Sequence, residues 1–139
     1  MNTNKTLMGG IAGGIAFFLL GWLFYGVILM DYMTQHGYPG FMKPESELMS
    51  GMMWLVLSNL AWGFLIAIVW GWAKVDSVMT GLKNGAIMGF LIALSIDLGF
   101  YAMSNMYNSR MAYAVDVLVN AAMISIVGAV VAWVMNRGK

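Results

Sequence analysis

Residues 7–30 read LMGGIAGGIAFFLLGWLFYGVILM, a run from Leu7 to Met30 without a single charge. An α-helix rises about 1.5 Å per residue, and about 20 apolar residues cross a hydrocarbon core. Three further runs follow: about Met52–Trp72, about Gly85–Met103 interrupted only by Asp97, and about Val117–Met135. Each run is continuous rather than alternating, which predicts helices and not barrel strands. The expected fold class is all-α, an integral membrane four-helix bundle. It forms a single transmembrane domain over residues 1–139, with an external loop at 31–50. A cleaved signal peptide fits the first run poorly, because the run is too long and no small-x-small cleavage site follows it.

Composition demands the same solvent. The chain is 61% hydrophobic and 9% charged, against roughly 45–50% and about 25% in soluble domains. Its seven Lys and Arg and six Asp and Glu could not cover so much apolar surface in water. There is no cysteine and one histidine, His36, which removes disulfides, thiolate metal sites and multi-histidine centres. A net charge of +1 gives no reason to expect a nucleic-acid partner. No Ser/His/Asp set, metal triad or basic headgroup pocket can be picked out, so neither an enzyme nor a resident cofactor is expected.

The basic residues set the direction. Lys5, Lys74, Lys83, Arg137 and Lys139 fall on one side of the spans, while Lys43 and Arg110 fall on the other. That bias predicts cytoplasmic N and C termini. The acids Asp31, Glu45, Glu47, Asp97 and Asp116 lie in or toward the outer half. The loop holds both prolines, Pro39 and Pro44, and reads as ordered. The inner turn, Ala73 to Asn84, is brief, and short links predict antiparallel neighbours in a compact bundle.

The two halves resemble each other. Asn59 on Asn120 superposes Leu57 on Leu118, Ala61 on Ala122, Val69 on Val130 and Trp72 on Trp133. Gly9 matches Gly85, Gly13 matches Gly89, and Phe24-Tyr25 matches Phe100-Tyr101. The pattern suggests a duplicated helical hairpin, whose repeats would be parallel, unlike inverted transporter repeats. Gly9, Gly13, Gly85 and Gly89 read as helix-packing faces, where small residues let backbones approach.

The segment Gly21-Trp22-Leu23-Phe24-Tyr25-Gly26, with the turn to His36-Gly37, resembles the first-helix signature of a group of small four-helix bacterial membrane proteins classed as a domain of unknown function. Gly99-Phe100, Asn105, Asn120-Ala121 and Gly128-Ala129, within Gly89 to Trp133, are similar to that family's second half. Phe24 stands where a Trp is more usual. The resemblance implies a multi-pass protein of the bacterial cytoplasmic (inner) membrane, and it brings no catalytic residues with it.

Asp97 is the most informative single residue. A carboxylate at span depth costs about 2.5–3.5 kcal/mol even on lenient insertion scales, so it must face protein or water. Tyr101 lies one turn on, on the same helical face. Antiparallel packing would bring Asn59, Asn120, Asp116 and Tyr25 to comparable depth. These six form the expected outer-half site, a place for a small solute, cation or proton. The alternative is a polar clasp in which Asp97 bonds Asn59 or Asn120, with Asp116 favoured at the start of its helix.

Met103, Met106 and His36 outline a further option, a soft Cu(I) site on the outer side. Methionine is also an ordinary flexible apolar filler. Trp54, Trp70, Trp72 and Trp133 are expected in an interfacial belt, and Trp62 in the core. The functions left are a small binding or transport unit, in which case a homo-oligomer is expected because one bundle leaves little lumen, or an accessory subunit of a larger membrane complex.

Overall fold

The computed structural model describes residues 1–138; Lys139, counted above among the basic residues, lies outside the described residues. Six helices form: α1 (Thr3–Leu23), α2 (Met30–His36), α3 (Glu45–Leu48), α4 (Met52–Trp72), α5 (Val78–Met103) and α6 (Arg110–Met135). A π-helical turn, Phe24–Ile28, prolongs α1. Four of these segments are long and apolar enough to cross a membrane: Thr3–Ile28, Met52–Trp72, Val78–Met103 and Arg110–Met135. The chain is an all-α, four-span membrane bundle.

The second span has the predicted limits, while the third and fourth start about two turns earlier than the apolar runs at Gly85 and Val117. Hydropathy marks where a chain meets hydrocarbon, but caps decide where a helix begins. Ser77 accepts from the Thr80 amide at 3.1 Å and Ser109 from the Met111 amide at 3.2 Å, satisfying amides the first turn leaves open. Asp116 therefore sits well inside α6, and no acid occupies the first turn of that helix. The helix-start role expected for it does not apply. The predicted loop 31–50 likewise contains most of α2 and all of α3.

Four crossings put both termini at one end, called here the terminus end; segment 31–50 and the α5–α6 connection form the loop end. α1 packs along α4, α5 along α6, and α1 also along α6. α4 and α5 make few contacts despite the short link between them. The reason is the turn out of α4: Lys74 takes a left-handed conformation (φ 52°), and the Val75 amide reaches back to the Trp70 carbonyl at 3.0 Å. This is a Schellman-type stop without the usual glycine. The Asn136 amide then holds the Val75 carbonyl at 3.1 Å, which directs α5 to α6.

Small residues decide the pairing. α5 buries Gly81, Gly85, Gly89, Ala93 and Asp97, one residue per turn on one face. A Cβ on Gly85 would lie 2.9 Å from Ser125 Cα, and one on Gly89 3.2 Å from Ala121 Cα, so the two backbones all but touch. In the first hairpin Gly63 fits against the Gly10 carbonyl and Gly14 backbone, while Gly9 and Gly13 turn to Met135 and Val131 of α6. Such close approach is how helices gain dispersion energy in lipid.

The terminus half holds the apolar core. Ile66, Ala67, Val127 and Val131 are fully enclosed. Trp70 belongs with them at 3% exposure, its indole N–H donating to the Gly128 carbonyl at 2.9 Å. It is a core residue and not part of an interfacial belt, because that carbonyl satisfies its one polar atom. Trp54, Trp72 and Trp133 are exposed, and Trp62 stacks on Phe17 at 5.7 Å.

Candidate functional site

Above that core, toward the loop end, polar groups converge from three directions. The π-helical turn supplies the first. There the Leu29 amide bonds the Phe24 carbonyl five residues back at 2.7 Å, and Tyr25, within the turn, reaches α6. Such one-turn π segments recur at functional sites. The Tyr25 hydroxyl donates to Asp116 Oδ1 at 2.6 Å. Asn120, one turn below Asp116, donates through Nδ2 to the Tyr25 hydroxyl at 2.8 Å and to the Asp116 carbonyl at 2.9 Å. An amide nitrogen has two protons, so its 3.3 Å approach to Asp116 Oδ2 is a shared, weaker contact.

Asp97 completes the cluster from α5. It is 4% exposed, and the Asp116 carboxyl is its charged neighbour. Its Oδ2 is enclosed and has no hydrogen-bond partner among the described residues. A buried acceptor without a donor costs about 1–3 kcal/mol, more if charged. A proton or cation between the two carboxyls removes that cost. The donors expected for a clasp are absent from Asp97: Asn120 is spent on Tyr25 and Asp116, and Asn59 gives its amide to the Leu55 carbonyl of its own helix at 2.7 Å.

Of the six residues expected at the site, Asp97, Asp116, Asn120 and Tyr25 come together. Tyr101 stands at the edge, accepting from Arg110 Nε at 2.9 Å and meeting the Tyr113 ring edge-on at 5.4 Å. Asn59 stays apart.

Sequence reading missed Tyr107, Tyr113 and Arg110. Tyr113 lies one turn before Asp116 on the same face, a spacing that could have marked it. Tyr107 sits in the α5–α6 connection, where no periodicity operates. Its hydroxyl approaches Asp116 Oδ1 at 3.5 Å, and its ring meets Tyr113 at 4.9 Å. Burial, with the nearby Asp116 and Asp97 charges, holds the Tyr107 hydroxyl above the ordinary tyrosine range, so it remains a donor.

The long loop is tied over this end. Gly37 pairs with Tyr107 in an antiparallel bridge, the Tyr38 amide donates to the Met106 carbonyl at 2.8 Å, and the Asn108 amide to the His36 carbonyl at 2.8 Å. His36 is held by Asn108 through Nδ1 at 2.9 Å and by the Tyr32 ring at 4.5 Å. Met103 is exposed, and Met106 contributes its carbonyl to the bridge. No group of three His, Cys, Asp or Glu that could hold a metal occurs among the described residues. No protein-family model, curated protein or solved structure matches the chain.

Proposed function

We propose that the protein binds a proton or small cation between Asp97 and Asp116 and serves as a small transport unit. The observation that supports this is the enclosed, partnerless Asp97 Oδ2 beside a second carboxyl. Two neighbouring ionised carboxylates, one of them buried, repel strongly, so the pair holds a proton or a cation as a unit. Tyr25, Asn120 and Tyr107 fix Asp116 in place, which leaves Asp97 as the member free to change partner. With the basic residues inside, both termini face the cytoplasm of a bacterial inner membrane and the pair lies in the outer half of the spans. Passage through the membrane requires an oligomer, because the terminus half is closed by Trp70, Val127 and Val131.

Infrared difference spectra between acid and alkaline buffer test the reading. A protonated-carboxyl band that titrates, and disappears in Asp97→Asn, supports an exchangeable site. A band that persists at every accessible pH makes the pair a permanent clasp and ends the proposal. Proteoliposomes should show a proton or cation flux that Asp97→Asn abolishes.

An accessory role draws on glycine faces as docking surfaces. Those glycines are occupied inside the bundle: Gly9 and Gly13 against α6, Gly10 and Gly14 against α4, Gly85 and Gly89 against α6.

A further inference from the structure

A cavity of about 380 Å³ lies between the loop-end halves of α5 and α6, with Asp97 in its wall. Its size is that of a small-molecule site. Leu94, Leu98 and Val117 make most of the lining apolar, and Tyr101 and Tyr113 add two rings. Leu98 and Tyr101 are exposed on a spanning helix, so the mouth faces the bilayer. Asp97, in contrast, is 4% exposed with Oδ2 unpartnered. Hydrocarbon-like walls, ring faces and one buried acceptor call for a ligand with an apolar body and a single cationic N–H group.

We infer that this cavity takes a lipophilic ammonium ion, which enters from the bilayer between α5 and α6 and sets its N–H against the Asp97 carboxyl, whose enclosed Oδ2 turns toward the cavity to receive it. The inference rests on the proposed carboxyl-pair site and names its substrate class. The ammonium takes the place of the proton held by Asp97 and Asp116, and that proton leaves to water. One positive charge enters, one departs, and no other bond changes.

The titratable groups around Asp97 are Asp116 and Tyr113 on α6, Tyr101 one turn on along α5, Tyr25 in the π-helical turn and Tyr107 ahead of α6. Arg110 is the cation in the cavity wall, its Nε donating to the Tyr101 hydroxyl. It opposes a second cation, so removing its charge should strengthen binding. An anionic amphiphile gripped by Arg110 would respond in the opposite sense, and its apolar tail would have to lie against a buried carboxyl.

The test uses the full chain in lipid nanodiscs, with 4-phenylbutylammonium as probe. Binding is followed by equilibrium dialysis and proton release in weak buffer. Expected are saturable binding with about one proton released per ammonium, loss by about tenfold or more in Asp97→Asn, and tightening in Arg110→Gln. Ala114→Phe, which fills the cavity from the α6 side, should also weaken binding and guards against misfolding of the Asp97 variant. Binding that survives both Asp97→Asn and Ala114→Phe, or that weakens in Arg110→Gln, overturns the inference. A titrating carboxyl band with no ammonium binding overturns it too, while leaving the carboxyl-pair function standing. No titrating band removes both.

Discussion

In the first hairpin, Gly14 of α1 lies against the Asn59 carbonyl and Leu60 of α4; in the second, Gly89 of α5 lies against the Asn120 carbonyl and Ala121 of α6. Gly10 and Gly85 sit one turn away in each. With Asn59 kept on Asn120, the contacts equate Gly10 and Gly14 with Gly85 and Gly89. That is one residue along from the Gly9/Gly85 and Gly13/Gly89 matches read in the sequence. The side-chain bonds agree: Asn59 donates to the carbonyl four residues back, and so does Asn120. In this register Trp22 and Leu55, both exposed, occupy the places that Asp97 and Asp116 hold in the second hairpin. The joint is shared, and the chemistry differs by two side chains. Lipid meets an apolar pair on one hairpin, while the other holds an acid pair of which Asp97 is buried.

The largest expected effects come from breaking the joint. Gly63→Leu drives a side chain into the Gly10 and Gly14 backbone, and Gly85→Leu does the same to Ile124 and Ser125. Backbone cannot rotate away as a side chain can, so each should cost about 3 kcal/mol, the upper end for overpacking, in a detergent unfolding titration. Similar losses would uphold the shared register; a tolerated Gly85→Leu would mean the second hairpin is not held as the first is.

Introducing the missing acid comes next. Trp22→Asp places a carboxyl where the first hairpin faces lipid, without a partner such as Asp116. It should reduce membrane insertion by about 2.5–3.5 kcal/mol. Unchanged insertion would show that this position reaches water.

How much of this could be read from the sequence follows from what kind of force acts. The spans were legible because hydrocarbon requires long uncharged runs, and Met52–Trp72 has the expected limits. Helix starts were not, because Ser77 and Ser109 act through single hydrogen bonds outside the apolar runs. The depth of Asp97, Asp116, Asn120 and Tyr25 was readable; which of them touch depends on interhelical register, and a one-residue slip on α1 exchanges Gly9 for Gly10. The stripe Gly81, Gly85, Gly89, Ala93, Asp97 was present in the sequence and already pointed the acid at a helix neighbour. Trp70 looked interfacial because its partner, the Gly128 carbonyl, belongs to another helix. The π-helical turn at Tyr25 leaves no periodic trace.

Asn120→Ala should have an intermediate effect. It removes the donor to the Tyr25 hydroxyl and loosens the hold on Asp116, for about 1–2 kcal/mol, at the upper end for polar contacts in membranes. It should also shift the carboxyl band assigned to the pair.

Asn59→Ala should do least. Asn59 occupies the equivalent position and makes the equivalent bond, but the residue one turn above it is Leu55 rather than an acid. Its amide therefore satisfies only a carbonyl already serving its own helix. Removing it should change stability by less than about 0.6 kcal/mol, the average for polar contacts between membrane helices, and should leave the carboxyl band where it was. The pair of alanine variants isolates the neighbouring acid as the source of the difference. If Asn59→Ala instead matches Asn120→Ala, the amide itself stabilises each hairpin, and the two carboxyls are an addition to that joint rather than the reason for the polar cluster.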